Sequence, residues 1–408
     1  MSERAVQEAV HRAEGGAAAV LPSLVLLMAM DLLCRTGYQM AKSPVLPLFA
    51  ESLGSRFQTS GAIVAVSTVT GLVVSPLVGT VSDLYGRRRL LLVGTALFAL
   101  MPCAYLVIDT PAQLVVVRLV HGSATGIYGP VVAAMVADLG VRHRGRAMGW
   151  YRSVRTGSYL LGPLLGGLVL TIGGFGLAWV VVGALGVLAL APALGLPPGT
   201  GAAVDVVAQR SSPRQVWRGL LQVLGNPAVL CLCVAEAALY LGLRAGRAFL
   251  PLYAASQGVN AAQVGVILSI QVVSTLLAQP LGGYLSDRVG PRVLIVAGLV
   301  MTAVSLPLMV VARRLTGIAV FSALAGLGEA AVMPAVVSMA SGVVERGHNG
   351  SVLGVLDSAD NVGKALGPAV AGLLLGRLGY VPSFVVVASL MVLVAGMVAG
   401  PWLRRCGP

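Results

Sequence analysis

The chain has 408 residues, 57% of them apolar and 11% charged, with a mean hydropathy of +0.89. Soluble domains carry about 25% charged residues, so this composition excludes a water-soluble globular protein, and the lack of strand-type alternation excludes a membrane β-barrel. A formal charge of +13 would suit nucleic acid only if the basic residues gathered on one surface, and their distribution along the chain assigns them elsewhere.

Apolar runs long enough to cross about 30 Å of hydrocarbon are predicted at 21–50, 59–84, 89–108, 112–140, 145–171, 174–196, 227–254, 261–287, 291–312, 315–344, 349–377 and 380–402. They are numbered spans one to twelve. The first twenty residues mix Arg4 and Arg12 with Glu3, Glu8 and Glu14 and have no apolar h-region, so span one is expected to be retained rather than cleaved as a signal. Of the 28 Lys and Arg residues, 16 fall on the loops that share a side with the termini, four on the opposite loops and eight inside spans. The positive-inside rule then places both termini in the cytoplasm and makes the basic charge a marker of topology, with no nucleic-acid partner. Cys34, Cys103, Cys231, Cys233 and Cys406 form no CxxC pair and read as small apolar fillers.

The sequence repeats itself. "GTVSDLYGRRRLLLVG" at 79–94 returns 204 residues later as "GYLSDRVGPRVLIVAG" at 283–298. The same offset pairs Pro47 with Pro251, Gly54 with Gly258 and Gly61 with Gly265; an offset of 205 pairs Gly162 and Pro163 with Gly367 and Pro368, and Gly167 with Gly372. An even number of spans per half makes these parallel repeats about an axis along the membrane normal, with a pathway expected between them. The predicted organisation is a cytoplasmic segment 1–20, a six-helix half 21–196, a linker 197–226, a second six-helix half 227–402 and a tail 403–408. Within the linker, Val216, Trp217, Leu220, Leu221 and Leu224 beside Arg214 and Arg218 predict an interfacial amphipathic helix.

Charges inside spans cost about 2.5–3.5 kcal/mol each on insertion scales and usually face a cavity or a partner. Span one carries Asp31, Arg35, Gln39 and Lys42, and span seven carries Glu236, Tyr240, Arg244 and Arg247. Each set follows i, i+4, i+8, i+11, which is one helix face. Arg35, Gln39, Tyr240, Arg244 and Arg247 are therefore candidate cargo contacts, and Asp31, Glu236, Glu329 and Asp360 are candidate proton-coupling groups. In span five Arg152 and Arg155 correspond under the repeat to Asp357 and Asp360 of span eleven, where Asn361 and Lys364 share the face. Arg152, Arg155, Asp357 and Lys364 fit a salt bridge between the halves, a network within each, or cavity lining. Arg118 in span four reads as an anchor for that span's carbonyls, and His121 as a packed, hydrogen-bonded histidine.

Several of these motifs together resemble the major facilitator superfamily over nearly the whole chain. Its loop signature is similar to Gly79-x-x-x-Asp83-x-x-Gly86-Arg87-Arg88-Arg89, with a second copy from Gly283 through Asp287 and Gly290 to Arg292; Arg118-x-x-x-Gly122-x-x-x-Gly126 resembles its span-four signature. Gly149, Gly157, Gly162-Pro163 and Gly166-Gly167 resemble the span-five motif of its drug and metabolite antiporters, with four residues between Gly157 and Gly162 where that motif has three. The resemblance implies an all-α fold of 12 transmembrane helices in two six-helix repeats. It also implies that Asp83, Arg87 and Asp138 brace a cytoplasmic gate against span eleven, and that Asp287 and Arg292 act likewise toward span five. The Pro and glycines of span five, Gly157, Gly162, Pro163, Gly166 and Gly167, are expected to let that span bend.

The function expected is a proton-coupled secondary transporter of the bacterial inner membrane, exporting a drug-like or metabolite molecule, anionic or zwitterionic, by alternating access. Proton-coupled uptake of an organic anion or siderophore-like metabolite is the alternative. No G-x-x-x-x-G-K-[ST] occurs for ATP-driven transport and no HExxH or His/Cys cluster for a metal. An intramembrane enzyme using Asp357 and Asp360 is the rival of a different class; the expectation is no enzyme, no cofactor and a functional monomer whose partners are cargo, protons and membrane lipid.

Overall fold

The computed structural model describes residues 3–139, 144–196, 225–312, 314–343 and 349–400, with the side chains of 3–20, 79–81, 83–85, 138, 144–146, 341–343, 349–351 and 353 excepted. The linker helix expected around Trp217 and the tail 403–408 lie outside the described residues, as do the side-chain contacts expected of Asp83 and Asp138. The described residues are helical, joined by short turns, with no strand among them.

Span one runs through Glu3–Met40, a π-helical turn Ala41–Val45 and Leu46–Ser52. Spans two, three and four are Phe57–Tyr85, Arg87–Tyr105 and Pro111–Leu139. Spans five and six form one helical stretch, Arg144–Leu194, broken where Gly173 and Gly174 leave helical dihedrals. The second half follows as Pro227–Ser256, Ala261–Val289, Pro291–Val311, Leu315–Val343, Asn349–Leu378 and Tyr380–Ala399 for spans seven to twelve. Among the described residues, ten helices are long and apolar enough to cross a membrane, one of them being the broken 147–194 stretch. Span eleven falls outside those ten although it is 30 residues long, since Asp357, Asp360, Lys364 and Arg377 interrupt its apolar sequence. Leu277, Val107 and Leu393 are 77%, 74% and 71% exposed, an apolar outer surface that suits lipid and not water.

Local chemistry sets the boundaries. The Asn226 side chain accepts from the backbone N–H of Ala228 at 2.9 Å and starts span seven with Pro227 in its first turn. Asn260 and Gln263 form a reciprocal capping box at span eight, Gln263 N–H to Asn260 Oδ1 at 2.9 Å and Asn260 N–H to Gln263 Oε1 at 3.1 Å. Gly86 (φ 86°) and Gly290 (φ 97°) turn the chain between spans two and three and between eight and nine. Only glycine adopts that φ without penalty, which explains why the loop motif carries glycine in both copies. The other positive-φ glycines also fall on the repeat, Gly54 with Gly258 and Gly174 with Gly379.

Arginines of the same loops hold the last span of each half. Arg88 Nη2 donates to the Leu194 carbonyl at 3.2 Å. Arg292 Nε donates to the Val398 carbonyl at 2.8 Å, and its Nη2 donates to the carbonyls of Ala399 and Gly400. The last carbonyls of a helix have no partner within it, and a cation there also meets the negative end of the helix dipole. Among the described residues Arg292 thus bonds to span twelve and makes no hydrogen bond to span five, and Asp287 is exposed.

Candidate functional site

The two halves touch at one end and part at the other. Spans two and eleven cross where a Cβ on Gly61 would meet the Pro368 carbonyl and lie 3.2 Å from Gly372 Cα. Spans eight and five cross in the equivalent way, a Cβ on Gly265 falling on the Pro163 carbonyl and 3.3 Å from Gly167 Cα. Bare backbones pack close there, as in small-residue helix crossings generally. Cross-half hydrogen bonds reinforce this end: Ser269 Oγ donates to the Leu160 carbonyl at 2.9 Å, the Ala262 N–H to Thr171 Oγ1 at 3.0 Å, and Ser43 Oγ to the Arg247 carbonyl at 3.4 Å.

On the other side of these crossings, toward the end that carries the Gly86 and Gly290 turns, lies a cavity of about 610 Å³. Its walls come from spans five, seven, eight, ten and eleven, and it narrows to an apex lined by Gln39, Lys42, Ser43, Pro163 and Pro368. Its size suits a drug-sized molecule. Six cationic side chains, Lys42, Arg152, Arg155, Arg244, Arg247 and Lys364, face three carboxylates, Glu329, Asp357 and Asp360.

Two of the carboxylates are paired. Arg247 Nη2 lies 3.4 Å from Glu329 Oε2 and its Nε donates to Gln271 Oε1 at 2.9 Å, while Thr275 Oγ1 donates to the same Glu329 oxygen at 3.3 Å. Lys364 Nζ lies 2.5 Å from the Asp360 carboxylate, one turn away, and 4.5 Å from the Tyr240 ring centroid. Tyr240 donates its hydroxyl proton to Met333 Sδ at 2.9 Å. Arg155 Nη1 donates to the Tyr151 hydroxyl at 3.4 Å. Arg244 Nε is buried without a hydrogen-bond partner.

Gln39, Tyr240, Arg244, Arg247, Glu329 and Asp360 line the cavity or its apex. Arg35 does not. It is packed inside the first half, 5% exposed, with Nε 3.6 Å from Asp31 Oδ1 and its guanidinium 5.8 Å from the Tyr128 ring centroid. Asp31 is fully buried with it, and Glu236 is 6% exposed with one oxygen unpartnered. The helical period placed Arg35 on the face of Gln39, but that face turns into the half's own interior at the level of Arg35.

Arg152, Arg155, Asp357 and Lys364 all line the cavity, and among the described residues no salt bridge joins span five to span eleven. With the walls parted, the opposite charges do not meet; Lys364 pairs within its own span. Span five keeps helical dihedrals from Gly157 through Gly167 and breaks only at Gly173–Gly174. Its glycines serve contact: Gly162 packs on Gln39 and Met40, Gly166 on Met40 and Pro44, and Gly167 on Ala261. Arg118, fully buried, donates to the Ser67 hydroxyl of span two, not to a span-four carbonyl, and lies 5.8 Å from the Tyr38 ring centroid. His121 Nδ1 is hydrogen-bonded to the Tyr105 hydroxyl at 2.9 Å.

Tyr159 is a wall residue that the charge pattern of span five, set by Arg152 and Arg155, left out. It lines both the cavity and its apex. Its position four after Arg155 and seven after Arg152 is the signal that finds it.

A profile of the Major Facilitator Superfamily matches residues 32–260 and again 232–406. The chain belongs to the major facilitator superfamily. A quinolone resistance protein, NorA of Staphylococcus aureus strain MSSA476, is 24% identical over 335 residues, covering 81% of this chain and 84% of its own. An uncharacterised transporter of the superfamily from Methanocaldococcus jannaschii is 22% identical over 347 residues, covering 83% and 87%. Among solved structures, a bacterial homologue of the human lysosomal transporter Spinster, in an inward-facing and unoccupied conformation, superposes with TM-score 0.77 at 16% identity over 96% of this chain and 98% of that one. The nucleoside transporter NupG superposes with TM-score 0.74 at 16% identity over 92% and 98%. Membership in this superfamily makes the chain a transporter and implies a small-molecule cargo.

Proposed function

We propose that this transporter exports an organic molecule bearing an acidic group across a bacterial plasma membrane, driven by protons, by alternating access. With both termini cytoplasmic, the cavity opens to the cytoplasm and the glycine crossings seal the outer side, so the conformation is the one that loads cargo for export. NorA, whose name records quinolone resistance, supports export of a drug-like cargo.

The observation that carries proton coupling is Glu329, a carboxylate on the cavity wall that accepts from Arg247 and Thr275. The cationic group of a zwitterionic cargo competes with the proton for this carboxylate, since a positive charge beside it lowers its affinity for a proton. Such mutual exclusion at one wall is what an antiporter needs, and intramembrane carboxylates commonly serve this way.

The experiment is transport of a fluorescent quinolone carboxylate by purified protein in liposomes with an imposed pH gradient. Accumulation should depend on the gradient and follow its direction, and Glu329→Gln should bind the quinolone yet lose the dependence. Transport that persists after the gradient is collapsed rejects proton coupling, and accumulation only when cargo and protons move together favours uptake.

A further inference from the structure

Around the cavity apex the cations sort into two kinds. Arg247 and Lys364 are each held by a carboxylate. Lys42, Arg155 and Arg244 line the walls with no salt bridge among the described residues: Lys42 donates to the neutral Thr68 hydroxyl at 3.2 Å, Arg155 to the Tyr151 hydroxyl, and Arg244 Nε has no partner. The carboxylates within electrostatic reach are already engaged: Asp31, near Arg155, is paired with Arg35 and does not line the wall, and Asp360, near Arg244, is paired with Lys364. Tyr159 stands where these cations converge, with Arg155, Lys364 and Arg244 as electrostatic neighbours. Lys42 in turn has Arg244 and Tyr159 as neighbours.

We propose that Lys42, Arg155 and Arg244, with the Tyr159 hydroxyl as donor, form an anion subsite that binds the carboxylate, sulfonate or phosphoryl group of an organic cargo. Guanidinium and ammonium donors around one hydroxyl make charge-assisted hydrogen bonds to such a group. The apolar remainder of the cargo lies along Val272, Leu276 and Met333, which line the same cavity. Lys42 and Arg155 come from the first half and Arg244 from the second, so the bound anion is held by both. Without it, like charges oppose one another across the interface and resist closing the open end; with it, closure brings attraction. The acidic group is therefore both what the site recognises and what permits the halves to come together.

This subsite rests on the reading of the cavity as a cargo site, and not on proton coupling. The test uses the full-length protein in phosphatidylcholine nanodiscs, so that no lipid headgroup supplies a net anion. Naphthalene-2-sulfonate and its charge-reversed counterpart, naphthyl-trimethylammonium, are titrated at constant ionic strength. The sulfonate should bind at least tenfold more tightly, Arg155→Gln and Arg244→Gln should each weaken it about tenfold, and Arg244→Lys should restore most of the loss. Tyr159→Phe should weaken it about threefold. On the unaltered protein, inorganic sulfate should displace the sulfonate more effectively than chloride does, which keeps the test decisive if a variant does not fold. Equal or tighter binding of the ammonium probe, or sulfonate binding indifferent to both arginines, overturns the subsite. Sulfonate binding without pH-driven transport upholds the subsite and rejects the proton-coupled reading; pH-driven transport with no preference for the anion does the reverse.

Discussion

Arg292 caps the end of span twelve by donating to the Val398 carbonyl at 2.8 Å, and Arg88 repeats the contact 204 residues earlier at Leu194. The loop arginines thereby tie the third span of each half to its sixth. Arg292 reaches three carbonyls and Arg88 one, at a more exposed site. Charge-assisted contacts to helix ends contribute about 0.3–2 kcal/mol depending on burial, so Arg292→Gln should lower the melting temperature of the purified protein more than Arg88→Gln. Equal melts would reduce both contacts to incidental ones.

At the sealed end, a methyl group on Gly61 or Gly265 would fall on a carbonyl of the facing half. Gly61→Ala and Gly265→Ala should therefore push the halves apart there and raise the population open at that end. Spin-label distances across the sealed end should lengthen in both variants. An unchanged distance distribution would mean that the helices slide past the methyl without opening.

Arg247 and Glu329 form a partly buried pair, 16% and 12% exposed in their side chains. Removing one partner of such a pair strands the other, at a cost of about 3–5 kcal/mol where burial is deep and less at this exposure. Glu329→Ala should destabilise the protein more than the combined Glu329→Ala, Arg247→Met variant, and thermal melts of the four-member cycle measure the coupling. Additive effects would show that Gln271 alone suffices to hold Arg247.

The Ser67 hydroxyl meets both Arg118 and the Tyr38 hydroxyl, the latter at 3.3 Å, in the interior of the first half. Ser67→Ala leaves a fully buried guanidinium short of an acceptor, which costs about 1–3 kcal/mol. Ser67→Thr, which keeps the hydroxyl, should recover most of that loss in melting temperature. If Ala is as stable as the wild type, Arg118 is held by its aromatic neighbours alone.

Gln39, Tyr240, Arg244 and Arg247 share helix faces that line the cavity, because one helix face faces one environment over two or three turns. The same spacing does not bring Arg35 there, where span one is enclosed by its own half at the level of Tyr128. The glycines of span five illustrate a different limit. Their positions were legible as special, but a missing side chain permits either a bend or a close approach, and the neighbouring backbone decides which. For Gly162 and Gly167 it is the approach of span one and of span eight.

From the residues alone came the membrane class, the twofold repeat and the positions where charge or glycine departs from an apolar background, since these follow from hydropathy and from self-similarity along one chain. The partners of those residues came only from the packing of helices within each half and between the halves. Arg152 and Asp357 carry opposite charges at equivalent positions and line one cavity, yet no salt bridge joins them. Whether two such charges pair depends on the separation of the walls, a distance that no periodicity encodes.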